Sequence, residues 1–275
     1  MAEDKQPQSK EMSFLEHLEE LRWVLVRSAA GVFLGAILAF IFYRIIFDYI
    51  ILAPKSPNFF TNRTLCAIAQ WMNTPGLCIN STPLELININ MAGQFNTHIM
   101  VSVYAGIVLA FPYIIYQVWS FVRPALYTNE RKRTRGAVFF ISLLFIAGVL
   151  FGYYIISPLT IHFLGGYSIS QEVSNQINLG SYVGSIASVT LATGLLFELP
   201  MLIVFLTKAG IVTPSFLKKY RRHAFVVILV AAAIITPPDI LSLILVTLPL
   251  WLLFEGSIAV SVRMYRKAGL DKEPA

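Results

Sequence analysis

Long apolar runs recur along this chain, and the polar connectors between them are alternately rich in Lys and Arg and almost free of both. Apolar runs of this kind span a membrane when they reach roughly 20 residues, enough to cross a hydrocarbon core about 30 Å thick. The spans are predicted at about 23–43, 97–119, 136–156, 182–206, 223–236 and 240–262. Cytoplasmic connectors retain cations, and of the 21 Lys and Arg only Arg44, Lys55 and Arg63 fall in connectors assigned to the outside. Six spans with both termini in the cytoplasm satisfy that distribution. The first run starts at Trp23, contains Arg27 and is long enough to span, so it reads as an uncleaved anchor. The predicted fold class is all-α: one polytopic membrane domain over residues 1–275. Composition agrees, because 56% of residues are hydrophobic and 13% charged, against about 25% charged in a soluble domain. The net charge of +6 is segregated by connector, which describes topology rather than nucleic-acid binding.

Several segments carry finer signals. Residues 13–22 predict an amphipathic helix at the membrane surface, opened by a capping box in which Ser13 and Glu16 satisfy each other's backbone N–H. Phe14, Leu18, Leu21 and Leu25 share its apolar face, with Glu16, Glu19 and Glu20 opposite. Residues 48–96 form a long outer segment containing Pro54, Pro57, Pro75, Pro83, Cys66 and Cys78. On the oxidising side those thiols favour a disulfide over two free cysteines, worth roughly 3 kcal/mol in the chain-entropy model. Residues 84–91 read as a short helix or loop, and Asn62-Arg-Thr and Asn80-Ser-Thr are weak matches to a glycosylation acceptor. Pro112 predicts a kink in the second span, Pro158 the end of the third, and Pro249 an interruption of the sixth. Residues 223–236 amount to only about 21 Å of helix before Pro237-Pro238-Asp239. That turn is therefore expected below the outer lipid surface, with the bilayer thinned beside it.

No phosphate-cradling Gly-x-x-x-x-Gly-Lys run and no His-Glu-x-x-His zinc motif is present. His17, His98, His162 and His223 fall in different places, so neither a metal cluster nor a cofactor is expected. The polar investment is in carboxylates instead. In the basic connector Phe121–Arg133, Glu130 stands among Arg123, Arg131, Lys132 and Arg133. It either pairs locally or waits for a guanidinium from another chain. Glu198 lies within a span, where an ionisable group costs about 2.5–3.5 kcal/mol and needs a partner or a purpose.

His17-Leu-Glu-Glu20-Leu-Arg22, Phe121-Val-Arg-Pro124-Ala-Leu-Tyr with Glu130-Arg131, Phe197-Glu198-Leu-Pro200 and Thr236-Pro237-Pro238-Asp239 follow one another in order. Together they resemble the motifs of TatC, the multi-span receptor of the twin-arginine protein translocase. The resemblance implies a concave, glove-like bundle of six helices in the bacterial cytoplasmic membrane, with no enzyme activity. It implies that Glu20 and Glu130 bind the paired arginines of the signal peptides of folded cargo. Phe121 and Arg22 would stand at that site's edge, with Pro124 fixing the loop's path. Carboxylates suit this task because they take a guanidinium in bidentate geometry, which an ammonium cannot copy. Val24 stands where many members carry another Arg. The resemblance further implies an oligomeric complex driven by the proton motive force. TatA-type or TatB-type single-span subunits would dock around Glu198, for which an internal hydrogen bond to a neighbouring span is the alternative. Asp239 and Glu255 match family positions and read as structural; Pro54, Pro112, Pro237 and Pro238 also read as structural. A proton-coupled secondary transporter using Glu198 and Glu255 is the rival; it calls for an internal repeat, and residues 23–156 and 182–262 show no convincing similarity. An intramembrane protease lacks a catalytic pair.

Overall fold

The computed structural model describes residues 14–74, 78–81, 84–122, 134–170, 172, 175–208 and 210–267. α1 (Phe14–Ile41) is a single 28-residue helix, about 42 Å long. No break separates the amphipathic start from the first span. α1 therefore exceeds the hydrocarbon thickness, and its first turns carry the carboxylates beyond the inner face. α3 (Gly93–Val122) returns antiparallel to it and runs unbroken through Pro112. The pair packs at backbone distance. A Cβ on Gly35 would lie 2.9 Å from the Gly106 carbonyl oxygen, and one on Gly106 would lie 2.6 Å from the Ala36 nitrogen. In lipid there is little hydrophobic force between helices, so small residues that admit such contact hold the pair together. Stacked rings close both ends: His17 on Phe121, and Phe40 on His98.

α4 (Thr134–Phe151) passes through a widened turn at Gly152–Ile156 into α5 (Ser157–Gly166). Pro158 does not end this span, contrary to the sequence expectation. A proline at 158 has no N–H for the carbonyl of Tyr154, four residues back. That carbonyl accepts instead from Thr61 Oγ1, while Ser157 Oγ donates to Gly152 O at 2.9 Å. The fourth span divides into α6 (Leu179–Leu196) and α7 (Leu199–Lys208), with a turn at Phe197-Glu198. After α8 (Pro214–Lys219), α9 (Arg221–Ile235) has just 15 residues, about 22 Å. α10 (Ile240–Lys267) then runs back, continuous through Pro249 rather than interrupted there. The reversal is tight: Pro237 is buried, its carbonyl accepts from Asp239 N at 2.7 Å, and Asp239 Oδ1 caps α10 by accepting from Ser242 N at 2.7 Å. Five helical segments among the described residues are long and apolar enough to cross a membrane: Leu15–Ile41, Gly93–Val122, Gly136–Gly166, Leu179–Lys208 and Ile240–Arg266. The shorter α9, antiparallel to α10, completes six.

Outside, α1 continues into a widened helical stretch, Ile45–Ile51, held by Tyr153 and Tyr182 hydroxyls donating to Ile50 O and Ile51 O. α2 (Phe60–Trp71) follows, and a disulfide joins its Cys66 to Cys78. Asn62, 1% exposed, ties the cap together. Its Nδ2 donates to Pro54 O at 3.0 Å and Ser56 O at 2.8 Å, and its Oδ1 accepts from Asn80 Nδ2 at 3.3 Å. Asn80 Nδ2 also donates to Pro158 O at 3.0 Å. Both asparagines are spent on this network, which excludes the glycosylation reading. Residues 86–87 form neither helix nor loop. They make β1 (Leu86–Ile87), paired in parallel with β2 (Ile177–Asn178), a partner too distant in sequence for local pattern to reveal.

One buried cluster joins Ile156, Val189, Phe197, Ala232, Val246 and Phe254 across the later spans. A second, around Val101, Tyr182, Val183 and Ile186, sits under the cap. The concave side of the bundle lies against this second cluster, at Ile51, Val101 and Ile186. An apolar groove of about 500 Å³ is lined by Tyr104, Val108, Val149, Tyr153, Ile186 and Thr190, among others.

Candidate functional site

The first turns of α1 present Glu16 and Glu19 outward, Glu20 half-buried and Arg22 exposed. His17 lies on the same turns and stacks on Phe121, with ring centroids 4.4 Å apart and planes 24° from parallel. Phe121 and Val122 end α3. The close Gly35–Gly106 crossing fixes how far each helix reaches, so the start of α1 and the end of α3 share one rim on the basic side. Glu20, one turn on from His17, is thus set on the same rim as Phe121, although a hundred residues separate the two stretches, while Arg22 lies about 140° round α1 from His17. The chain enters the 123–133 connector from that point. Pro124 and Glu130 belong to that connector and lie outside the described residues.

Glu198 is elsewhere. It sits at the α6–α7 turn, its backbone N–H donating to Leu195 O at 3.1 Å and its carbonyl accepting from Leu202 N at 3.0 Å. Ten residues of helix, about 15 Å, separate it from the inner cation Lys208, which puts it near mid-membrane. α4 approaches closely here, since a Cβ on Gly148 would meet Phe197 Cβ at 2.7 Å. Glu198 Oε1 is buried with no hydrogen-bond partner among the described residues. The carboxyl group also interacts with the Phe145 backbone of α4, so its burial in the span is compensated only in part.

Other polar groups link the helices. Glu255 Oε1 accepts from Arg221 Nε, whose guanidinium also lies 5.7 Å from the Trp251 ring centroid. This ties the inner end of the short α9 to α10. Thr207 and Ser261 hydroxyls bond at 3.1 Å between α7 and α10. Pro54 is buried beneath Asn62, Pro112 follows the Phe111 ring that stacks on Phe145, and Pro238 is exposed at the α9–α10 turn. Histidines serve structure as well: besides the two stacked pairs, His162 Nδ1 lies 3.5 Å from Asn80 N. Among the described residues no three His, Cys, Asp or Glu gather as metal ligands. The contact that sequence reasoning missed is His17 on Phe121. Its signal was the presence of each ring within a family-like motif, but a through-space stack leaves no trace in spacing.

Comparison with known proteins bears on this arrangement. Residues 16–249 match the family described as "Sec-independent protein translocase protein (TatC)". The chain is 38% identical to the TatC of Blattabacterium sp. subsp. Periplaneta americana over 262 residues, covering 94% of this chain and 98% of that one. It is 37% identical to TatCy of Bacillus subtilis, covering 94% and 92%. Among solved structures, a crystal structure of the twin arginine translocase receptor TatC superposes with a TM-score of 0.66 at 32% identity, covering 90% of this chain and 98% of the other. A second, obtained in DDM, gives 0.68 at 31% identity, covering 90% and 99%. The chain belongs to the TatC family of Sec-independent protein translocases, as a multi-pass component of the bacterial cytoplasmic membrane and not an enzyme.

Proposed function

We propose that this protein receives twin-arginine signal peptides at its cytoplasmic rim, with Glu20 on α1 and Glu130 in the 121–133 connector each accepting one guanidinium. The observation that carries the reading is the His17–Phe121 stack, which sets the Glu20 turn beside the residue from which the Glu130 connector departs. Neighbouring arginines project in different directions, so two acceptors from separate elements suit them. Phe121 and Arg22 border the grip, and Pro124 directs the connector. The apolar part of the peptide then enters the concave bundle. Glu198, with its unpartnered buried oxygen, offers a docking point at mid-membrane for TatA-type or TatB-type single-span subunits. The assembled complex exports folded proteins at the expense of the proton motive force.

The test uses the full chain in membrane vesicles and a signal peptide with a photo-crosslinker beside its arginines. Adducts are expected on the first turns of α1 and on the 121–133 connector. Hydrogen bonds to charged groups contribute about 1.5–3 kcal/mol each, so Glu20→Ala, Glu130→Ala or a Lys-Lys peptide should each lower the yield roughly tenfold or more. Undiminished adducts in both variants would remove this site.

A further inference from the structure

α2 is amphipathic in the wrong sense for water. Its buried face carries Thr61, Asn62 and Ala69, while Phe60, Ala67, Ile68 and Trp71 are exposed. Phe60 is 61% exposed and Trp71 87%. At 100° per residue these four fall on one side of the helix, with Arg63 on its flank. The inward face is polar for a reason already given: Thr61 serves the carbonyl that Pro158 leaves free, and Asn62 is the hub of the cap. The outward face has no such reason.

The depth of α2 supplies one. Phe60 makes an edge contact with Tyr154, ring centroids 6.5 Å apart, and Thr61 bonds the Tyr154 backbone. Tyr154 lies 18 residues above Gly136, where Arg135 marks the inner face, which is about 27 Å of helix. The hydrocarbon core is about 30 Å thick, so α2 sits at its outer boundary. Its exposed rings continue the apolar surface of the spans, through Tyr154 and the exposed Tyr49 and Ile50. We propose that α2 is an interfacial anchor: Phe60, Ile68 and Trp71 enter the headgroup–acyl boundary of the outer leaflet, and Arg63 meets lipid phosphate. An aromatic face of this kind with a cationic flank is what interfacial helices use. The Cys66–Cys78 disulfide then fixes the cap that holds α2 at that depth.

The test reads Trp71 directly. The full chain carries Trp23, Trp119 and Trp251 as Phe, leaving Trp71 as its single tryptophan, and is placed in nanodiscs containing phosphatidylglycerol. Lipids brominated near the headgroup end of the acyl chain are expected to quench Trp71 by about half, more than lipids brominated near the chain end, while aqueous iodide quenches weakly. The difference in emission between the unaltered protein and its Trp71→Phe variant provides the same reading should the triple substitution fold poorly. Free access of iodide without lipid quenching would overturn the proposal. So would shielding from both quenchers, which would mean that another protein surface covers this face.

Discussion

Gly35 and Gly106 touch backbone to backbone at the crossing of α1 and α3, so closely that a methyl on either would meet main-chain atoms within 3 Å. This contact sets the register of the helix pair that carries the candidate site. Gly106→Ala is expected to force the helices apart. Overpacking typically costs about 1–3 kcal/mol, so thermal unfolding in detergent should shift clearly downward. Gly136→Ala, which meets nothing within 4 Å among the described residues, serves as the control without a clash and should not lower the midpoint. Equal midpoints for the two variants would mean that the crossing does not hold the pair.

The His17–Phe121 stack should couple the two halves of the rim. Aromatic pairs contribute about 0.5–1.5 kcal/mol beyond burial, and a double-mutant cycle of His17→Ala and Phe121→Ala, read by signal-peptide affinity, should return a coupling in that range. Strict additivity would show that the rings are neighbours without consequence for the site.

Glu198→Ala should separate two steps. The residue is remote from the rim, so crosslinking of signal peptide is expected to stay within about twofold of the unaltered protein. Recovery of single-span subunits with the purified protein should fall. A loss of peptide crosslinking with subunit recovery intact would reverse the assignment.

The outer cap should depend on its staple and its hub. Opening the bridge between Cys66 and Cys78, 12 residues apart, is expected to cost about 3 kcal/mol of cap stability in the chain-entropy model. Asn62→Ala strands the Asn80 Nδ2 donor and the Pro54 carbonyl at about 1–3 kcal/mol each, while Ser56 O keeps its bond from Phe59 N. Limited proteolysis from the outer side should cut residues 48–96 readily in either variant while the spans stay intact. Resistance in both would show that the cap is held by other contacts.

Much of this was legible in the chain alone. Six apolar stretches and the sidedness of Lys and Arg determine the topology, because bilayer thickness and cation retention act on local sequence. The shortness of the fifth stretch was equally plain. The motifs around Glu20, Phe121, Glu198 and Asp239 pointed to the family for the same reason: each is a contiguous word. Prolines misled. Pro158 and Pro249 read as breaks, yet both helices continue, and at Pro158 it is Thr61, from a distant element, that satisfies the carbonyl the proline cannot reach. The β1–β2 pair, the Asn62–Asn80 network, the inverted face of α2 and the His17–Phe121 stack were decided only by tertiary structure. All depend on which surfaces meet through space, and residues far apart in sequence acquire that relation only when the backbones of α1 and α3, and the cap above them, close to contact.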